Sequence, residues 1–467
     1  MELRKNSDLG IFFEAGKVAV VGSFKEEWMG GYGVIKNMLN FGFSGRIYSV
    51  NPFYSEILGM TVYPTVNHVT DTIDLAVVVT PSKVVPTTIE QCAQKGIRAA
   101  IIVSDGFAET RKKEGFKLQQ ELVDIAHRTG MRLIGPNTVG IVNTVSGLVT
   151  TPYFTGYSRI QRGTIAYASQ TGIVSAHALP LEDYAYPISK MCDFGNKCDV
   201  NEIDLLEYLA VDPETKVIAM HLEDINDGQQ FMNAARRVVA RKPVLVLKPG
   251  RSESSVKAVA SHTGSLVGDD KVYDSAFKQA GVIRLNTLQE LLEIPRVFAS
   301  QRLPVGNRVA IVTLSGGAGI MAIDAAMTSG LSIAQLASAT TDRLAKISPR
   351  IASNPVDVGQ LASLLISDYI PTLESIIATV LADNNVDCAF IVIWATSTSQ
   401  IPDITGMFSR LKQQASKPMT VWIYTTKLSV KEELSRELEA LGLPVYIKLE
   451  TAVKALGIAA DYAKRLS

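Results

Sequence analysis

Short runs of β-branched and apolar residues alternate with amphipathic stretches over residues 17–143, a pattern that predicts a parallel sheet flanked by helices. The predicted strands are Lys17–Gly22, Arg46–Val50, Leu75–Val79, Ala99–Val103 and Met131–Ile134. Two stretches between them, Tyr32–Leu39 and Lys117–Arg128, have the apolar spacing of amphipathic helices. The pattern is typical of a doubly wound domain of the nucleotide-binding type.

Two further α/β blocks follow. The second has predicted strands at Thr164–Ala168, Val217–Met220 and Pro243–Leu247. After a linker with Pro and Gly, a third block opens at Arg308. Residues 163–172 and 307–317 each have a buried strand, a Ser/Gly turn and an apolar helix, which indicates two copies of one fold; a convergent strand-turn-helix start is the alternative. The predicted domains are residues 1–143, 144–300 and 301–467.

Length and composition agree with this division. A chain of 467 residues is expected to form about three domains. Apolar residues make up 47% and charged residues 20%, which excludes disordered and fibrous proteins. Lys plus Arg and Asp plus Glu each total 46, so no overall field attracts a nucleic acid or an anionic membrane, and neither partner is expected.

No apolar run approaches the roughly 18 residues of a membrane span, and the first residues lack the apolar core of a signal peptide. A soluble, cytoplasmic protein is therefore expected. The four cysteines, Cys92, Cys192, Cys198 and Cys388, match no zinc-ligand spacing, so reduced thiols and no metal site are expected.

The turn after the first strand, residues 22–33, offers free backbone N–H groups to a phosphate. It lacks the Gly-x-Gly-x-x-Gly spacing, and the second strand ends in Val50, Asn51 and Pro52 without an acidic residue for a ribose. A dehydrogenase is therefore disfavoured. The alternative is that these glycines serve only the tight turn.

Three more polar loops follow predicted strands. They are Thr80–Ser82, Ser104–Glu109 and Gly135–Gly140. Because ligands of open α/β sheets lie at the carboxyl ends of strands, the cluster favours a nucleotide-like ligand.

The five histidines differ in context. His68 and His127 are expected at the surface, and His177 in packing or indirect support. His262 lies in the small polar run Ala260–Leu266, which has no apolar periodicity. A mobile loop histidine can act as a nucleophile or phosphate carrier, and an ordinary loop histidine is the alternative.

His221 and Glu223 end a predicted strand two residues apart, on one face. A carboxylate can orient a reacting histidine and stabilise its charge, so Glu223 is a candidate partner of His262. The alternative is a solvated strand end.

The turns Ser169–Gly172 and Ser315–Gly319 each precede a predicted apolar helix. Two helix N-termini facing one point would neutralise a phosphorylated histidine without a metal. Each turn alone could equally be an ordinary cap.

The order of these parts resembles the α subunit of ADP-forming acetyl-CoA synthetase (acyl-CoA synthetase, NDP-forming), a relative of succinyl-CoA synthetase. The most specific matching segments are Ser261–Leu266, Gly195–Val200, Asn354–Asp357 and Gly135–Asn137. The resemblance covers nearly the whole chain. It implies a Rossmann-like CoA-binding domain followed by two flavodoxin-like, succinyl-CoA synthetase-like α/β domains.

The resemblance implies that acyl-CoA, ADP and phosphate give the acid, ATP and CoA, with His262 taking the phosphoryl group of an acyl phosphate and Glu223 steadying it. The residues that match phosphate-binding positions are Ser169, Gln170, Thr171, Gly172, Gly317, Ala318 and Gly319. Those that match CoA-binding positions are Gly22, Ser23, Val50, Asn51, Pro52, Thr80, Pro81, Ser104, Gly106, Phe107, Glu109 and Asn137. Tyr153, Phe154, Val174 and Phe194 are candidate walls of the acyl pocket.

The family places ADP or ATP with Mg²⁺ mainly on an ATP-grasp β subunit, for which three domains leave no room, so a separate β subunit and an α2β2 assembly are implied. The implied small ligands are CoA, phosphate and a small carboxylic acid. The chain departs from the family at its first turn, at Phe53, where lysine is common, and at Thr171, where serine is more usual. The remaining alternatives are a non-catalytic CoA-binding regulatory protein and a nicotinamide-dependent oxidoreductase.

Overall fold

The computed structural model describes residues 9–26, 29–153, 160–179, 186–252, 254–255, 269–361 and 369–466. His262 and its segment Ser261–Leu266 lie outside the described residues, as does Phe154. The described chain divides into two compact units, one up to residue 291 and one from residue 292. Within these ranges, no helix is long and apolar enough to cross a membrane.

The first sheet has seven strands in the order β3-β4-β2-β1-β5-β6-β7. Its strands are β1 (Lys17–Gly22), β2 (Arg46–Val50), β3 (Glu56–Ile57), β4 (Met60–Tyr63), β5 (Leu75–Val79), β6 (Ala99–Ile102) and β7 (Arg132–Ile134). Its helices are α1 (Gly10–Phe13), α2 (Gly31–Asn40), α3 (Val85–Gln94) and α4 (Lys113–Thr129). Neighbouring strands are parallel except β3 and β4. Central strands such as β6 are buried at every residue, as expected of a sheet covered on both faces.

All five strands predicted for this region are confirmed, and β1, β2 and β5 have the predicted bounds. The pair β3 and β4 was not predicted. These strands have only two and four residues, which is too short for an apolar alternation to mark them in the sequence.

The second sheet lies in the same compact unit and has the order β14-β13-β12-β10-β11-β8-β9. Its strands are β8 (Ile141–Asn143), β9 (Leu148–Val149), β10 (Ile160–Ser169), β11 (Tyr186–Asp193), β12 (Val217–His221), β13 (Val244–Leu247) and β14 (Ile283–Leu285). The associated helices are α5 (Glu202–Val211), α6 (Gly228–Val239), α7 (Asp270–Ala280) and α8 (Leu288–Glu293). Strands β10 to β14 are parallel, whereas β8 and β9 form an antiparallel edge.

The third sheet is parallel and runs β16-β15-β18-β19-β20, with β17 also paired to β15. Its strands are β15 (Arg308–Thr313), β16 (Ser332–Ile333), β17 (Val356–Asp357), β18 (Cys388–Trp394), β19 (Met419–Tyr424) and β20 (Val445–Tyr446). The helices of this unit are α9 (Pro295–Ser300), α10 (Gly316–Thr328), α11 (Ser338–Ile347), α12 (Tyr369–Leu381), α13 (Ile401–Gln414), α14 (Leu428–Ala440) and α15 (Leu449–Leu466). The strand order is that of a flavodoxin-like sheet.

The Asn354 side chain holds together the strands at one side of this third sheet. Its Oδ1 accepts the backbone N–H of Ile311 at 2.9 Å. Its Nδ2 donates to the carbonyl oxygens of Val309 at 3.0 Å and Ala334 at 2.9 Å. Val309 and Ile311 belong to β15, and Ala334 follows β16, so one amide joins β15 to the segment that follows its neighbour.

We expect Asn354→Ala to lower the free energy of unfolding by about 2 kcal/mol, because three part-buried backbone groups each lose a hydrogen bond, although the carbonyl oxygen of Val309 keeps the one from Ala334. Urea denaturation of the whole chain measures this change. Asn307→Ala is the control, since Asn307 Nδ2 makes an exposed bond to the carbonyl oxygen of Gly330. An equal loss of unfolding free energy in both variants would contradict the stabilising role assigned to the Asn354 side chain.

Candidate functional site

The loops at the carboxyl edge of the first sheet are bonded to one another. Asn51 Nδ2 donates to the carbonyl oxygen of Gly22 at 2.7 Å. Ser104 Oγ donates to the carbonyl oxygen of Thr80 at 2.5 Å, and the backbone N–H of Asn137 donates to Ser104 O at 2.8 Å. The structure therefore brings together loops that the sequence assigns to CoA.

The individual residues differ in what they can present to a ligand. Ser23, Pro52, Pro81 and Asn137 are exposed. Val50 and Phe107 have side chains buried in the core, so only their backbone can contact a ligand. Gly22 is buried where β1 meets β5, and a Cβ there would lie 2.2 Å from the carbonyl oxygen of Val79. Close packing alone therefore requires glycine at position 22.

Glu109 organises its own loop. Its Oε1 accepts the backbone N–H of Gly106 at 2.6 Å and of Phe107 at 3.0 Å. Its Oε2 accepts a hydrogen bond at 2.5 Å from Nδ2 of Asn196, which lies in the loop after β11 of the second sheet. Glu109 thus fixes the backbone of the Ser104–Glu109 loop and ties that loop to residue 196.

The second group of predicted residues lies at the carboxyl end of β10. Ser169 is paired in register with Asp193 of β11 and with His221 of β12. The helix predicted after the Ser169–Gly172 turn is wrong for the described residues, which form two short 3₁₀ turns up to Ala178. Ser175 causes the interruption, since its backbone is extended and its Oγ donates to the carbonyl oxygen of Gly172.

The Gln170 amide is bonded to the turn that carries Glu223. Its Oε1 accepts the backbone N–H of Glu223 at 2.9 Å and of Asp224 at 3.2 Å. Its Nε2 donates to Asp224 Oδ1. His221 and Glu223 are both buried, so the solvated strand end considered for them is wrong.

Residues 195–197 join the two groups. A Cβ at Gly195 would lie 2.3 Å from the carbonyl oxygen of Pro136, which shows how closely this loop approaches the first sheet. Asn196 reaches Glu109, and Lys197 reaches Asp224. Both groups line one polar cavity of about 120 Å³. Its walls include Glu109, Asn137, Gln170, Asn196, Lys197 and Glu223.

Among the described candidates for the acyl pocket, Tyr153 differs from Val174 and Phe194. Val174 and Phe194 are buried in the core. The ring of Tyr153 stacks on the ring of His177 with centroids 4.0 Å apart, and His177 Nδ1 lies 2.8 Å from Ser175 Oγ. This assigns His177 to packing, one of the two roles predicted for it. His68 and His127 are exposed, as predicted.

Asp193 is a titratable group that the sequence analysis did not find. Its carboxylate accepts the backbone N–H of Val139 at 2.8 Å and of Gly195 at 3.2 Å. Burial, and to a smaller extent the charge of Glu223, raises the pKa of Asp193 to about 7 against the effect of these bonds. Its position among apolar residues of β11 gave no signal, because the pairing of β11 with β10 is visible only in the fold.

The other predicted phosphate residues lie in the second unit, where α10 follows β15 as predicted. Gly317 is exposed, whereas Ala318 and Gly319 are buried. The Ser315 side chain makes no capping hydrogen bond to the first turn of α10. Among the residues that the structure describes, no group of three or more His, Cys, Asp or Glu side chains could hold a metal ion.

The fold and these loops define a class of CoA ligase. The sequence model of the CoA binding domain matches residues 16–144, and that of the succinyl-CoA ligase like flavodoxin domain matches residues 162–298. The acetate–CoA ligase [ADP-forming] II subunit alpha of Pyrococcus furiosus is 37% identical over 98% of both chains. The acetate–CoA ligase [ADP-forming] II of Archaeoglobus fulgidus is 34% identical over 98% of this chain and 67% of its own.

A solved structure agrees with the sequence relatives. The dinucleotide forming acetyl-coenzyme A synthetase 1 of Ca. Korarchaeum cryptofilum, in complex with phosphate and ADP, superposes with a TM-score of 0.86 and 30% identity. The match covers 98% of this chain and 97% of that one. The chain belongs to the family of ADP-forming acetate–CoA ligase α subunits, and its predicted fold class is confirmed. The oxidoreductase alternative is thereby excluded, and the regulatory alternative is not favoured.

Two histidines are expected to make the first unit sensitive to acid. Burial lowers the pKa of His177 and of His221 to about 4, with a smaller contribution from nearby Lys248 in the case of His221. His221 Nδ1 is buried and has no hydrogen-bond partner among the residues described. Below pH 6.5 the unfolded chain binds protons that the folded chain does not, so the free energy of unfolding falls as the pH drops from 6.5 to 4.

We expect His221→Phe to reduce this slope by up to about 1.4 kcal/mol per pH unit, the effect of one proton. Urea denaturation at several pH values between 4 and 7 measures it. His127→Asn, at an exposed histidine, is the control and should keep the wild-type slope. An unchanged slope in His221→Phe would contradict a neutral buried His221.

Proposed function

We propose that this chain is the α subunit of an ADP-forming acyl-CoA synthetase that interconverts acyl-CoA, ADP and phosphate with a carboxylic acid, ATP and CoA. The observation that carries the proposal is the single cavity bordered both by Glu109 of the CoA-assigned loop and by Glu223. A ligase that converts acyl-CoA and phosphate into an acyl phosphate and then moves the phosphoryl group to a histidine needs its CoA-binding loop and its histidine partner side by side. The chain is 37% and 35% identical, over 98% of its length, to two chains named as α subunits of such ligases, and this supports the proposal.

The first half-reaction is phosphorolysis of the thioester. A phosphate oxygen attacks the thioester carbonyl carbon, the carbon–sulfur bond breaks, and CoA leaves as the thiolate while acyl phosphate forms. The loops around Gly22, Asn51, Thr80 and Ser104 are proposed to hold CoA, with the Ser104–Glu109 backbone kept in place by Glu109. Backbone N–H groups near Thr171 and Gly172 are proposed to hold the phosphate, because a backbone donor needs no reorganisation when charge develops.

The second half-reaction moves the phosphoryl group to His262. An imidazole nitrogen attacks phosphorus, the phosphorus–oxygen bond to the acyl group breaks, and the acid leaves as its carboxylate while a phosphohistidine forms. Glu223 is proposed to accept a hydrogen bond from the other ring nitrogen, which fixes the tautomer and stabilises positive charge on the ring. The N-terminus of α10, with Gly317, Ala318 and Gly319, is proposed to receive the phosphohistidine.

The last transfer, to ADP, is proposed to occur on a separate ATP-grasp β subunit that holds the nucleotide with Mg²⁺, in an α2β2 assembly. The P. furiosus relative is named as a subunit and is matched over 98% of its length, whereas the A. fulgidus relative, whose name mentions no subunit, is matched over 67%. The chemistry that holds ADP is therefore proposed to be supplied by another chain.

We expect labelled ATP and Mg²⁺ to phosphorylate this chain in the presence of its β partner, giving an acid-labile, base-stable label. His262→Ala should abolish the label because the accepting nitrogen is gone, and Glu223→Gln should reduce it by about 10²-fold or more. His127→Ala, at an exposed histidine, should label like wild type. A wild-type chain that binds CoA but takes up no label would favour the regulatory protein instead.

A further inference from the structure

A left-handed turn directs the Lys197 side chain into the interior of the first unit. Gly195 and Lys197 have φ angles of 53° and 47°. Such a backbone is costly for a residue with a side chain and persists only where its surroundings fix it. Here the N–H groups of Asn196 and Cys198 donate to Pro136 O at 2.9 Å and Gly135 O at 3.1 Å. The loop is thus held against the first sheet while Lys197 points away from solvent.

Lys197 is the centre of a buried ionic triad. Its Nζ lies 2.9 Å from Asp224 Oδ1 and 3.2 Å from Glu202 Oε2. It also donates to the carbonyl oxygen of Asp224 at 3.2 Å. All three side chains are at most 5% exposed. One ammonium group therefore compensates two carboxylates away from water.

The triad reaches Glu223 through Gln170. Lys197 holds Asp224 Oδ1, which accepts Gln170 Nε2. That contact turns Gln170 Oε1 toward the backbone N–H groups of Glu223 and Asp224, which it accepts at 2.9 and 3.2 Å. Each member of this chain of contacts orients the next, and the last contact fixes the peptide from which the Glu223 side chain extends.

Stability alone does not account for such a triad. A buried ion pair contributes little more stability than apolar residues of the same volume would, because both charges must be desolvated. The best supported use of a buried polar network is to specify one geometry. A carboxylate that must meet a histidine from another loop needs such a geometry, since misplacement by about 1 Å can cost 10²-fold in rate.

We propose that Lys197 is a positioning residue for Glu223, acting through Asp224 and Gln170. Gln170, which the sequence analysis assigns to phosphate, is a member of this network: its side-chain amide is bonded to Asp224 and to the Glu223 peptide. The inference rests on the proposed function, because it takes Glu223 as the partner of the phosphorylated histidine.

The test uses the full chain with its β partner and measures single-turnover transfer from labelled ATP to His262. Lys197→Met and Asp224→Asn should each slow transfer by about 10²-fold. Their affinity for CoA should stay at the wild-type value, because neither side chain reaches the CoA-assigned loops. Asp224→Asn keeps the shape of the side chain, so it carries the test if Lys197→Met does not fold.

The Lys190–Asp212 pair is the matched control, because it is equally buried in the same unit and lies 2.6 Å apart without contacting the Glu223 turn. Lys190→Met and Asp212→Asn should lower the melting temperature as much as the network variants but transfer phosphate within about twofold of wild type. Transfer by Lys197→Met and Asp224→Asn at the rate of these controls would overturn the inference.

A crystal structure of Asp224→Asn separates this inference from the proposed function. If wild type takes up no label, the proposed function fails, and the structure still decides whether the network positions Glu223. We expect the Glu223 peptide and carboxylate to move by about 1 Å. An unmoved Glu223 in that variant would overturn the positioning role whatever the labelling result.

Discussion

Parallel strand pairing is the constraint on which the site depends. Each parallel strand must return through a crossover, so the carboxyl ends of all strands in a sheet share one edge, and so do the loops that follow them. The first two sheets lie in one compact unit, and their carboxyl-end loops meet at residues 135–137 and 195–197. Residues more than 100 positions apart in sequence, such as Glu109 and Glu223, thereby line the same cavity.

The meeting point is held by backbone as much as by side chains. Gly195 permits contact with the carbonyl oxygen of Pro136, Asn196 bonds to Glu109, and Lys197 bonds to Asp224. Of these three consecutive residues, the first allows close packing, the second holds the loop assigned to CoA, and the third holds the turn that carries Glu223.

The sequence predicts the strands of the first sheet well because buried parallel strands are continuous apolar runs, as in Leu75–Val79. It does not reveal β11, the edge pair β8 and β9, or the short turns after Thr171, since these depend on pairing and on one serine's bond to the backbone. The motif Gly195–Val200 was visible in the sequence, but the role of Lys197 was not. Its partners Glu202 and Asp224 are ordinary acidic residues until the fold encloses all three.

The charges around Glu223 favour different surroundings for the imidazole ring and for the phosphoryl group of a phosphohistidine. Asp193 and Asp224 lie close to Glu223, and the ammonium group of Lys197 is already shared by Asp224 and Glu202. Lys248 is a further cation within electrostatic range of Glu223, and burial lowers its pKa to about 8. Carboxylates in such a setting favour a protonated imidazole and repel a phosphate. A phosphoryl group is better stabilised by backbone N–H groups, such as those proposed at the Thr171–Gly172 turn, because these donors add no mobile positive charge.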